Sequence, residues 1–393
     1  MNRRLFTLAL CQALFLVNNI IFVVVNGLVG LALAPQAWMA TLPITAYVAG
    51  GALATGIVAG HQRRWGRRRA FQQGLLVAFV STLVCVVAVY NKSFMLLLVG
   101  TVFAGYYSAN ASLYRFAAAE LVQPSYKEKA VSWVLAGGIL GGVIGPNLAT
   151  FTRDILPVQF AGAYVALAVV ALVSLALVSS IDFPPLPGQG DAKASTEGRT
   201  VRQLLREPLF VAAVACSAIG YGVMNLLMAA SPIAMAQCGH PFSSAALVLE
   251  WHVIGMYVPS FFTGNLIKRY GVMPILVAGV VLNAACIAFA LSGQDVMHFI
   301  GALFVLGVGW NFLYIGGTTL AVQALAPHEK TRGQGTIDFC VYGTMTLTSF
   351  ASGALVTTGG WQAMNGGSMV PLALLIVILG WVALQRRRAA NPA

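Results

Sequence analysis

Residues 59–69, AGHQRRWGRRR, and residues 263–273, TGNLIKRYGVM, are two versions of one pattern. Each joins one long apolar run to the next through a basic turn centred on a glycine. Those glycines, Gly66 and Gly271, are 205 residues apart. A second pair of segments has nearly the same offset. QPSYKEK follows the fourth apolar run and APHEKTR follows the tenth, with Pro124 and Pro327, Lys127 and Lys330, and Lys129 and Arg332 each 203 residues apart. A membrane chain that repeats at half its length predicts two bundles around a central site, one rocking against the other.

The rest of the chain fits that frame. Of 393 residues, 59% are hydrophobic and 9% are charged, against about 25% charged in a soluble domain. Twelve apolar runs reach transmembrane length, about 20 residues each: 5–33, 36–60, 71–90, 93–119, 130–152, 157–180, 207–233, 241–267, 272–292, 296–325, 335–356 and 368–385. The expected fold is an all-α membrane protein with twelve transmembrane helices in two six-helix bundles. Residues 1–180 form the first bundle and 207–393 the second. The Pro-, Gly- and charge-rich stretch 181–206 is a cytoplasmic linker between them. The first run is too long for the 7–15-residue core of a secretory signal and is read as a retained span.

A net charge of +12 invites a nucleic-acid reading, which the distribution rejects. With both termini inside, 20 of the 23 Lys and Arg fall in cytoplasmic segments, among them Arg63, Arg64, Arg67, Arg68 and Arg69, Lys193, and Arg386, Arg387 and Arg388. Lys92 and Arg153 fall outside and Arg115 lies within a span. This is the positive-inside pattern of a multi-pass protein with membrane lipid, not nucleic acid, as its surroundings. There is no Gly-x-x-x-x-Gly-Lys-Ser/Thr phosphate loop and no extramembrane segment large enough to be an enzyme, so uphill transport would draw on an ion gradient and no cofactor is expected. The six cysteines are scattered, with only Cys238 in an outer loop, and imply no disulfide framework.

The basic turns resemble the inner-loop motif of the major facilitator superfamily, Gly-x-Leu-Ala-Asp-Arg-x-Gly-Arg-Arg. Arg64-Trp65-Gly66-Arg67-Arg68 carries the first copy, with Arg63 where the family has Asp and Ala59 where it has the leading Gly. Gly264-Asn265-Leu266-Ile267-Lys268-Arg269-Tyr270-Gly271 fits better in shape, with Lys268 in the place of the acid. The resemblance implies the fold and is silent about cargo.

Cargo chemistry is carried by two consecutive spans. The seventh holds Met224 and Met228 in YGVMNLLMAA, and the eighth holds His252 and Met256 in EWHVIGMYV. Residues at i and i+4 share one helix face, about 6 Å apart along the axis. Thioether sulfur is a soft ligand that selects Cu(I), and imidazole suits copper as well. Counted from the span midpoints, the four donors form a staircase of Met228, then Met224 beside His252, then Met256. Cys216 continues it inward and Cys238 sits with His240 at the outer mouth. Few donors at each level suit transfer better than storage. The plain alternatives are methionines that fill gaps and a neutral histidine hydrogen-bonded to a neighbouring helix.

This donor set resembles the signature of the CcoA-type bacterial copper importers, inner-membrane members of the same superfamily. The resemblance implies copper, free or chelated, as transported substrate, with Met224, Met228, His252 and Met256 as its ligands and Cys216 and Cys238 as relay positions. It also implies import across the inner membrane for assembly of cbb3-type cytochrome oxidase, with copper chaperones on either face as partners. Related members without the signature move other substrates, riboflavin among them. Glu250 and Asp338 are candidates for proton coupling, because intramembrane charge is a functional hypothesis by default. Structural pairing is the alternative for Asp338, and Arg115 is expected to pair with Asp338 or Glu120. In the fifth span, Gly137, Gly138, Gly141, Gly142 and Gly145 with Pro146 allow close helix contact and a bend. Its Gly-x-x-x-Gly-Pro core resembles a motif of proton-coupled antiporters and supports the rival reading, a proton-coupled carrier or exporter of a small organic molecule. A scaffold or copper sensor that transports nothing is a third.

Overall fold

The structure is a computed structural model that describes residues 3–123, 126–185, 198–326 and 329–390. Pro124, Pro327 and Lys193 lie outside the described residues, as do the side chains of Lys127, Lys129, Lys330, Arg386, Arg387 and Arg388. Every regular element among the described residues is helical. The chain forms two compact units: Met1–Lys193 with Ala229–Glu250, and Ala194–Met228 with Trp251–Ala393.

The first unit holds α1 (Arg3–Leu33), α2 (Leu42–Tyr90), α3 (Phe94–Ala111), α4 (Tyr114–Glu120), α5 (Lys127–Thr152) and α6 (Ala161–Ser179). The remaining helices are α7 (Val201–Leu204), α8 (Pro208–Gln237), α9 (Phe242–Tyr257), α10 (Ser260–Tyr270), α11 (Val272–Ser292), α12 (Val296–Ala324), α13 (Lys330–Gly367) and α14 (Met369–Ala390). Helices α8 and α9 cross the boundary, so residues 229–250 belong to the first unit and the rest to the second.

Among the described residues, ten apolar stretches are long enough to cross a bilayer, and two of them run for 54 residues each. At 1.5 Å per residue such a stretch is about 80 Å long, more than twice a hydrocarbon core. Each is broken by a glycine in a backbone conformation closed to other residues: Gly66 at φ 77°, ψ 170° and Gly360 at φ 71°, ψ −177°. Counting each as two crossings restores twelve. The sequence places a loop at 61–70 and another near GGWQAMNGG. Both are instead helical up to the glycine, because a single left-handed residue is enough to break the rod.

Two runs read as single spans are interrupted. The fourth divides at Ser112–Leu113 between α3 and α4, and the eighth at Val258–Pro259 between α9 and α10. At the second break Pro259 lacks the N–H that would reach the previous turn, so helix hydrogen bonding fails there.

In the first unit the glycines of α5 do what their spacing predicts. Gly137 and Gly141 lie against the carbonyls of Ala9 and Ala13 on α1 so closely that a Cβ at either would collide with backbone, and Gly145 faces Val17 and Ile20. Small residues at every fourth position let two helix backbones touch, which is the packing available where lipid supplies no hydrophobic contrast. At the basic turn Arg67 donates to both oxygens of Glu120 at 2.6 and 3.0 Å and also to Gln62. Glu120 is therefore a partner of Arg67. The Arg115 guanidinium lies over the Phe116 ring at 4.8 Å.

A candidate cargo site on α8, α9 and α12

The core of the second unit is apolar, built from residues such as Phe210, Leu276, Leu313, Leu320 and Leu375. Cys216 is part of it, fully enclosed and facing α12, where a Cβ on Gly317 would lie 3.2 Å from that of Cys216. That is the setting of a small buried residue.

One to three turns further along α8, polar groups appear in this core. Asn225 donates to the Met345 carbonyl at 3.0 Å, to Thr348 at 3.1 Å and to Ser349 at 2.7 Å, all on α13. Its neighbour Met224 is 2% exposed, and Met228 is half-buried. Tyr221, one turn before Met224, packs edge-on against Trp310 and Tyr314 of α12, with centroids 5.1 and 5.2 Å away. Trp310 and Tyr314 stack at 5.2 Å, and Tyr257 of α9 stands 6.3 Å from Trp310.

His252 is completely enclosed and Met256 is 7% exposed. The Nδ1 of His252 lies 2.6 Å from the Leu303 carbonyl of α12. A carbonyl only accepts, so Nδ1 carries the proton and Nε2 keeps its lone pair. That Nε2 meets no hydrogen-bonding partner among the described residues. Gly307 of α12 lies against the His252 carbonyl and the Met256 N–H, where a Cβ would come within 2.5 and 2.8 Å. Only a residue without a side chain lets α12 approach the donor-bearing turn so closely.

Immediately after this turn α9 ends at Tyr257. The freed Met256 carbonyl accepts from Asn311 Nδ2 at 2.7 Å. Asn311 also reaches Ser260 at 2.6 Å and accepts from Thr263 at 2.7 Å. A broken helix with its loose carbonyls satisfied inside the protein is how transporters build a site within the membrane. Thus α12 is the shared wall, touching α8 through Tyr221 and α9 through His252, Gly307 and Asn311. Sequence reading missed Trp310, Asn311 and Asn225. The signals were an indole and two amides inside apolar runs.

Glu250 accepts from Asn147 of α5 at 3.2 Å and lines a small cavity with Pro146 and Thr150. Asp338 accepts from Gln334 one turn earlier on α13 at 2.8 Å. Cys238 is half-buried just past the end of α8, and no disulfide joins any of the six cysteines. Among the described residues no three His, Cys, Asp or Glu side chains cluster as a metal site, so a metal bound by them would lean on thioethers.

This all-helical architecture with a broken-helix site is that of a membrane carrier, and the chain belongs to the Major Facilitator Superfamily, which it matches over residues 5–249 and 212–393. It is a membrane transporter and not an enzyme. The chain is 36% identical to the riboflavin transporter RfnT of Brucella anthropi over 393 residues, 100% of this chain and 98% of that protein. It is 23% identical to the purine ribonucleoside efflux pump NepI of Escherichia coli, covering 76% of this chain and 72% of that one. Among solved structures it resembles a mutant of the nucleoside transporter NupG, with TM-score 0.73 and 12% identity over 98% and 99% of the two chains. It also resembles the human organic anion transporter MFSD10, with TM-score 0.68 and 13% identity over 96% and 99%. None of these four is named for copper.

Proposed function

We propose that this chain is a secondary transporter that brings copper into the bacterial cytoplasm across the inner membrane, with His252, Met224, Met228 and Met256 as the donors that pass the ion along. Supply of cbb3-type oxidase assembly belongs to this reading. The observation that carries it is the state of His252. A metal-binding imidazole typically donates one ring N–H to a backbone carbonyl, which fixes the tautomer and aims the other nitrogen's lone pair. His252 has this arrangement, with Nδ1 held by Leu303 and a buried, unpartnered Nε2. An unsatisfied buried acceptor costs about 1–3 kcal/mol, which a cation would offset. The test is cellular copper accumulation in cells carrying intact or His252→Ala protein at equal membrane abundance. Accumulation should fall to the level of cells lacking the transporter, and unchanged accumulation would refute the reading.

The comparisons favour a second reading, a carrier of a small planar organic molecule such as a flavin. The full-length relationship to a riboflavin transporter supports it, and so does the aromatic panel of Tyr221, Trp310, Tyr314 and Tyr257. Aromatic rings along one wall, with Trp310 and Tyr314 stacked, suit a flat ring system. Riboflavin uptake that survives His252→Ala and is lost on Trp310→Ala would select this reading over copper.

A further inference from the structure

The first unit holds a cavity of about 570 Å³ that neither cargo reading uses. Its volume is that of a pocket for a small organic molecule. Two basic side chains, Lys92 and Arg153, line it together with His240, and none of the described residues lining it is acidic. These are the two cations that the charge pattern places on the outer side of the membrane. The rest of the lining is largely apolar, with the rings of Phe160 and Phe242 on one wall.

Two observations mark it as built for a ligand. First, Arg153 is held in place: its guanidinium lies 5.5 Å from the Phe160 ring and 5.4 Å from the Phe242 ring. Those rings meet edge to face at 5.3 Å. Its carboxylate partner Asp154 is 3.6 Å away and largely exposed, so the pair is weak. Second, Lys92 at φ 49° and Phe160 at φ 66° are the two non-glycine residues with positive φ among the described residues, and both line this cavity. Lys92 takes the left-handed place after a helix end that glycine usually occupies. Strained backbone of this kind clusters at ligand clamps.

We infer that this cavity binds an organic anion with a flat apolar body, whose charged group meets Lys92 and Arg153 and whose body lies against Phe160 and Phe242. A bare cation is repelled from such a mouth. The inference stands whichever cargo the second unit takes.

The probe is riboflavin 5′-phosphate, fluorescent and anionic, with uncharged riboflavin as its control. Polarisation is measured on the detergent-solubilised full chain. Riboflavin phosphate should bind saturably. Its affinity should fall about tenfold in Lys92→Glu and to a lesser degree in Lys92→Gln, and should weaken with added salt. Riboflavin should not respond to Lys92. Lys92 is exposed, so its replacement leaves the fold intact. The absence of saturable riboflavin phosphate binding by intact protein would overturn the inference, as would equal binding by intact protein and Lys92→Glu. Neither result bears on the His252 test, which reads uptake through the second unit.

Discussion

Glu329 shows how much one carboxylate can organise. It is 3% exposed and takes Arg199 through both oxygens, at 2.8 Å from Nε and 2.7 Å from Nη2. The backbone N–H groups of Arg199 and Ala326 donate to it as well. The Arg199 side chain and these amides hold its carboxyl well below the usual carboxylate range, and Glu329 in turn raises Arg199. Arg332 completes the clasp by donating to the Arg199 carbonyl at 2.6 Å, which pins the end of the linker to the segment between α12 and α13. A depressed folded-state pKa means stability that is full above the unfolded value, about 4.3, and that is lost as pH falls below it toward the folded value. The purified protein should therefore hold its melting temperature from pH 7 to 5 and lose stability below about pH 4. Glu329→Gln should start lower and show a shallower acid limb. An acid limb identical in the two proteins would mean the clasp contributes nothing. None of this is legible in the sequence, where Glu329 is one letter of a repeat segment and its partner lies 130 residues away.

At the scale of helices, sequence and structure agree most closely at the glycines of the two basic turns. Gly66 sits at φ 77°, ψ 170° and Gly271 at φ 88°, ψ 164°, the same conformation 205 residues apart. The repeat was visible as a pattern of letters because both copies need the one residue that tolerates this geometry. A Cβ at either position costs of order 1–3 kcal/mol. Gly66→Ala and Gly271→Ala should each lower the unfolding midpoint in detergent. Gly264→Ala, where an added Cβ meets nothing within 4 Å, should not. Equal effects at all three positions would mean that the turn geometry is not the cause. The break at Pro259 was less legible, because hydropathy runs unbroken across it and only the proline marks it. The direction of His252 was not legible at all. It is set by a carbonyl at Leu303, 51 residues away, which no periodicity reveals. Periodicity identifies which residues are buried, whereas the partner that orients each one depends on how α9 meets α12.

For the whole molecule, the distribution of cations makes a claim that can be checked chemically. Twenty of the 23 Lys and Arg belong to the segments assigned to one side of the bilayer, a bias that sets orientation during insertion. The orientation expected from it has both termini in the cytoplasm and the turn after α8 outside. Cys238 lies in that turn, half-buried, while Cys11, Cys85, Cys216 and Cys286 are buried within the helices. A membrane-impermeant maleimide added to intact cells should therefore label the protein at Cys238, and Cys238→Ser should abolish the signal. Burial pushes the Cys238 thiol up from its ordinary value, so less of it is thiolate at neutral pH and the reaction is slowed. Labelling should be weak at pH 7 and should rise as the pH is taken to 8 and then 9, following the thiolate fraction. Cys340 of α13 is half-buried too, so labelling that appears only after the membrane is permeabilised would invert the orientation if Cys238→Ser removes it. It would also move Lys92 and Arg153, with the cavity they line, to the cytoplasmic side. The side of the bilayer that holds this cavity is thus tied to one thiol, and a single labelling experiment tests it.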